Sequence, residues 1–177
     1  MQTFVSVFLF FSVFVFCWYV TGFEITKIEL SKWGESGKIG MIWNSILVLL
    51  ASSIFLNNFL YIKHSNRIKY KNISYVIFGF VSLFLLLVGL FNVNYPIIHN
   101  TFAWLYFFTY PLIIFIFTHI NRKSLKYREW IGNLLISVGM IVFPLISILV
   151  FSGAAISEII HILFVIFWNL KIALKII

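Results

Sequence analysis

Residues 73–91 read ISYVIFGFVSLFLLLVGLF, 19 positions without a charged side chain. Lys63, Arg67, Lys69 and Lys71 precede the run, and Asn92, Asn94 and Pro96 follow it. Coiled at about 1.5 Å per residue, such a run spans roughly the 30 Å of bilayer hydrocarbon. Hydrocarbon offers a peptide group no hydrogen-bond partner, so the run must form a helix, which bonds its own backbone. Five more runs of the same kind cover 3–20, 39–62, 99–120, 130–151 and 156–176.

The rest of the chain agrees. Of its 177 residues, 62% are hydrophobic and 10% charged, and the mean hydropathy is +1.05. A soluble domain is nearer 45–50% apolar and about 25% charged. This composition excludes a water-soluble globular domain and a disordered chain. The single cysteine, Cys17, excludes an intrachain disulfide and a cysteine metal cage. The predicted fold class is all-α: a polytopic membrane protein, one six-helix transmembrane bundle over residues 1–177 with an outer loop at 21–38. Six spans consume roughly 120 residues. No soluble catalytic domain fits in the remainder, so function must reside in the helices or that loop.

Charge sets the expected orientation. Ten of the 13 basic residues fall in the loops 63–72 and 121–129 and at the C-terminal end, beside Glu129 alone. The 21–38 loop balances Lys27, Lys32 and Lys38 against Glu24, Glu29 and Glu35. Basic loops stay on the cytoplasmic side. Both termini are therefore expected in the cytoplasm, with the chain in the cell's inner (cytoplasmic) membrane. The net charge of +8 is read as topogenic, and nucleic acid is not an expected partner. Trp18, Tyr19, Trp33 and Tyr95 are expected in the outer aromatic belt, and Tyr61, Tyr70, Tyr127 and Trp130 in the inner one. Within the loop, the alternation at 23–26 reads as a strand and 31–37 as a turn. A small hairpin or an interfacial helix would both fit.

At 100° per residue, polar positions gather into stripes. Asn44, Ala51, Ser52 and Asn58 share one side of the second helix. His99, Ala103, Tyr106 and Tyr110 share one side of the fourth, where Pro111 removes a backbone hydrogen bond. Asn133, Ser137, Pro144 and Ser147 align on the fifth; Glu158, His161, Val165, Trp168 and Asn169 align on the sixth. Such stripes face the bundle interior, where Ser, Asn and Tyr commonly serve as glue between helices. Glu158, His99 and His161 differ, because an acid and two imidazoles converge near the outer leaflet. Glu158 can complement the positive end of its helix, form a hydrogen-bonded Glu–His pair, or join both histidines around a metal. Three residues from two helices are too few to assign a metal, and no cofactor is assigned. His64 and His119 are placed at the cytoplasmic headgroups. No phosphate-cradling Gly-rich loop, G-x-S-x-G elbow or H-E-x-x-H motif occurs, and the chain has no Asp.

Three short segments carry a resemblance: GLFNVNYPIIH at 89–99, SGAAISE at 152–158, and LSKWG at 30–34 followed by Trp43-Asn44. They resemble the prokaryotic six-helix membrane family catalogued as domain of unknown function 998. Ser157 stands where that family has a proline, and Asn94 where an acid is usual. The resemblance implies a six-helix bundle with His99, Glu158 and Asn44 as its polar signature. It brings no activity with it.

The leading expectation is a polar pocket, open to the outer leaflet, that binds a lipid headgroup or small amphiphile. Asn44, His99, Glu158 and His161 would line its mouth, with Tyr106 and Tyr110 below. The alternatives are an accessory subunit with a protein partner in a membrane complex, and a lipid-remodelling enzyme using His99 or Glu158 as acid/base. A passive ion pathway along Tyr106, Tyr110 and Asn169 is a further reading. The first run lacks the basic n-region and small-residue cleavage site of a signal peptide. N-terminal sequencing of the membrane-extracted protein is therefore expected to return the residues ahead of that run; a start inside the 21–38 loop would mean cleavage.

Overall fold

The computed structural model describes residues 2–22, 24–35 and 37–175. Phe23 and Ser36 of the outer loop, and Ile176 at the predicted end of the sixth helix, lie outside the described residues. Six α-helices follow in order: α1 Gln2–Thr21, α2 Gly37–His64, α3 Lys71–Leu90, α4 Pro96–Ile120, α5 Tyr127–Val150 and α6 Ala155–Ala173. All six are long and apolar enough to cross a membrane. A short 3₁₀ helix, Leu30–Gly34, lies between α1 and α2. No strand occurs among the described residues, and 24–26, the described part of the alternating stretch, form none.

Local chemistry explains where the helices stop. Gly22, at φ +60°, ends α1 in the left-handed conformation and donates its N–H to the Trp18 carbonyl at 3.1 Å. Pro96 opens α4, where its missing N–H is no loss. Glu129 sits in the first turn of α5, at the positive end of its dipole. Beyond the loop between α1 and α2 the turns are short, so α2 to α6 run antiparallel in succession; each helix packs on the next, with α6 closing back onto α2 and α1. Glu129 pairs with Lys175 at 3.1 Å and with Arg67 at 3.8 Å, and Asn121 Oδ1 accepts from the Lys69 N–H at 3.1 Å. These contacts gather the basic loops and the end of α6 at one end of the bundle.

Packing relies on close helix approach, because lipid tails compete equally well for apolar surface. Gly89 lets α3 lie against α2: a Cβ there would meet Val48, the Asn44 carbonyl and Leu47 at 3.0–3.2 Å. The centre is aromatic. Phe78 stacks on Trp168 with centroids 6.2 Å apart, and Phe117 meets both edge-on. On α1, Ser6 and Ser53 hydroxyls bond at 2.5 Å, and Phe10 and Cys17 are buried.

At the opposite end the 21–38 loop is tied down. Gly153 donates its N–H to the Thr26 carbonyl at 3.0 Å, Ala155 to the Ile28 carbonyl at 3.2 Å, and Leu30 to Glu158 Oε2 at 2.7 Å. Alternate loop residues thus bond to the α5–α6 turn, which straps the loop across the start of α6. Trp33 is 4% exposed, so it leaves the aromatic belt expected for it. Its ring packs 4.9 Å from Trp43 and 5.4 Å from Phe14, and its Nε1 donates to Thr21. The strap draws it inward.

A Cβ on Gly153 would collide with the Lys27 and Ile28 backbone, which cannot give as a flexible side chain can. Gly153→Ala is expected to destabilise the protein by about 1–3 kcal/mol, the usual penalty of overpacking. Gly132→Ala meets only the end of the long Lys171 side chain, at 3.2 Å, and should change little. Thermal unfolding of both variants in one detergent tests the contrast.

Candidate functional site

Below the strap lies a cavity of about 180 Å³ between α4, α5 and the start of α6. Glu29 and Ser31 of the loop line it, as do His99, Glu158 and His161. The remaining wall is mostly apolar, including Phe107, Met140 and Pro144. Its rim is Trp104 and Phe108 on α4 and Leu145 and Ile148 on α5, which are 57%, 54%, 50% and 45% exposed. The cavity therefore opens sideways between α4 and α5, where lipid tails would lie. A second cavity of about 60 Å³ shares Ser31, His99, Ala103, Phe107 and Glu158 with it and reaches Tyr106.

Each polar side chain here is partly committed to backbone. Glu158 Oε2 accepts from Leu30. His99 Nδ1 lies 2.8 Å from the Phe91 carbonyl at the end of α3. A carbonyl only accepts, so Nδ1 carries the hydrogen, and a neutral His99 ring turns its Nε2 lone pair elsewhere. His161 Nδ1 faces the Met140 carbonyl of α5 at 3.4 Å. Its Nε2 is buried with no hydrogen-bond partner, and so is the Tyr106 hydroxyl. The two rings stand edge to face, 5.6 Å apart. Buried polar groups are nearly always partnered, so an orphan at each of two adjoining cavities, His161 at the larger and Tyr106 at the smaller, marks where a ligand or water would bind.

The structure brings four of the six sequence-predicted site residues together: His99, Glu158 and His161 at the larger cavity and Tyr106 at the smaller. The other two lie elsewhere. Asn44 sits under the loop and donates to the Gly34 carbonyl at 3.3 Å. Tyr110 is fully buried deeper in the bundle, where Asn169 Nδ2 donates to its hydroxyl at 2.8 Å. Asn169 Oδ1 in turn accepts from Asn57 at 3.2 Å and Asn58 at 3.3 Å. That set closes on itself as helix glue. Ser52 is a correction: it is exposed and bonds to the Val48 carbonyl, while Ser53 and Asn57 take the interior. Among the described residues no three His, Cys or carboxylate groups could hold a metal.

Glu29 and Ser31 went unrecognised in the sequence because an irregular loop has no period to place them. Phe107 was legible, since it continues the four-residue row His99, Ala103, Phe107 on α4.

Residues 4–175 match a family described as Protein of unknown function (DUF998). No curated protein and no solved structure matches the chain.

Asn169→Leu would remove the side-chain acceptor shared by Asn57 and Asn58 and the donor to Tyr110, and is expected to cost about 1–3 kcal/mol. Tyr110→Phe removes one bond and should cost nearer 0.6 kcal/mol, the membrane average. Denaturant unfolding of both variants from mixed micelles measures the difference.

Proposed function

The chain belongs to the DUF998 family, and on that premise we propose that it binds an amphiphile, its polar head beneath the 21–38 loop and its tail emerging between α4 and α5. The observation that carries this reading is the shape of the larger cavity. Its polar atoms sit at the back and under the loop, and its apolar mouth opens sideways onto the lipid-facing surface. A water-borne solute would have no need of a tail-lined mouth at membrane depth. A ligand with both a head and a chain uses every part of it.

The positive-inside distribution supports placing the basic end in the cytoplasm and the loop end outside. The ligand would then enter from the outer leaflet of a cytoplasmic membrane. Acid/base chemistry on a lipid has less support, because His99 and Glu158 each spend an atom on a backbone partner and no activated nucleophile accompanies them.

The test is native mass spectrometry of the protein extracted in mild detergent. Wild type is expected to carry a bound amphiphile. Ala103→Phe, which puts a ring into the wall shared by both cavities, is expected to arrive empty with unchanged helix content. Equal ligand on both forms would sink the reading. A protein partner on both forms, with no amphiphile, would favour the accessory-subunit role.

A further inference from the structure

The head group can be specified from the atoms that await it. This rests on the amphiphile reading above and deepens it. The chain has five glutamates. Glu24 pairs with Lys27 at 2.8 Å, Glu35 with Lys32 at 2.6 Å, and Glu129 with Lys175 and Arg67. The other two, Glu29 and Glu158, make no ion pair among the described residues, and both line the larger cavity. No Lys or Arg lines it. The bonds these carboxylates do make come from neutral donors: Ser31 Oγ to Glu29 at 3.2 Å and the Leu30 N–H to Glu158 at 2.7 Å.

The histidines have the same polarity. With Nδ1 turned to the Met140 carbonyl, the His161 ring offers an acceptor at Nε2. That ring is 1% exposed, and Nε2 has no partner. His99, its Nδ1 on the Phe91 carbonyl, offers a second acceptor. Trp104, Phe107 and Phe108 line the same space, and aromatic faces attract cations. Carboxylates, imidazole lone pairs and ring faces all seek positive charge or N–H donors. A phosphate or carboxylate head would find no basic group in the lining and would face the Glu29 carboxylate.

We propose that the cavity selects an amphiphile with a protonated primary amine head. The ammonium would donate its hydrogens to Glu158, Glu29 and a histidine acceptor while its chain leaves between α4 and α5. The charge of the carboxylates is then balanced by the ligand instead of by a lysine, and charge-assisted bonds hold the head in place.

The experiment titrates full-length protein in mild detergent with dodecylamine, dodecanol, dodecanoate and butylamine, reading occupancy by native mass spectrometry. Dodecylamine is expected to bind about 10- to 100-fold more tightly than dodecanol, as one or two charge-assisted bonds allow, with dodecanoate weakest. Glu158→Gln keeps an acceptor for Leu30 and should reduce that preference about tenfold or more. Glu29→Gln, on an exposed loop residue, should also reduce it, and stands if the first variant fails to fold. Glu24→Gln, paired outside the cavity, should leave it unchanged. Dodecanol or dodecanoate binding as well as the amine would overturn the head-group assignment and leave amphiphile binding intact. Butylamine binding as tightly as dodecylamine would overturn the role of the tail. Failure of every long-chain compound to bind would remove the amphiphile reading itself.

Discussion

A peptide N–H or C=O without a partner in hydrocarbon costs several kcal/mol. This constraint turns the six apolar runs into helices, and it also accounts for most of the polar side chains. Ser137 donates to the Pro111 carbonyl at 2.8 Å across α5 and α4. Asn57 donates to the Asn169 carbonyl at 2.8 Å. His99 serves the end of α3, and Glu158 the Leu30 amide of the strap. Polar side chains in this bundle bond mostly to backbone. Four buried side-chain atoms among the described residues have no partner, His161 Nε2, the Tyr106 and Thr118 hydroxyls and Trp130 Nε1, and of these residues only His161 and Tyr106 line a cavity.

Charge obeys a second rule. At the basic end Glu129 is held by two cations, and Lys171 donates to Asn133 at 2.6 Å. At the loop end Glu24 pairs with Lys27 and Glu35 with Lys32, and these carboxylates push the lysine pKa values up by hydrogen bonding. Such exposed pairs contribute little to stability. What matters is the remainder: the strap brings Glu29 to the cavity that Glu158 lines, while its Lys27 and Lys32 stay outside that lining. The loop thus roofs the cavity and also makes its electrostatics one-sided.

Much of the fold was legible because hydrophobic length is a one-dimensional property. Each predicted span falls within about three residues of the observed helix, and differences lie at ends where turns, caps and prolines act. Helical period also carried information. Asn133, Ser137, Pro144 and Ser147 are all buried, as are His161, Trp168 and Asn169. It failed at Ser52, where one residue of phase separates the interior from lipid, and a hydroxyl can satisfy itself on its own helix. The site was half legible. His99 and Glu158 stand out as polar groups at helix starts, yet Asn44 shares their depth and serves the loop instead.

The amino-acid sequence by itself determined the class, the number of spans, the charge asymmetry between the two ends and the faces that turn inward. These follow from composition and period, which need no partner. Only the tertiary structure decided that 26, 28 and 30 pair with 153, 155 and 158, that Trp33 is buried, and that two glutamates meet over one cavity. The strap and the meeting of the glutamates join segments more than 120 residues apart, and all three are made by an irregular loop whose path depends on what it lies against. A loop has no repeat to read, so the roof of the site, and with it the character of the site, emerges only when the chain is folded.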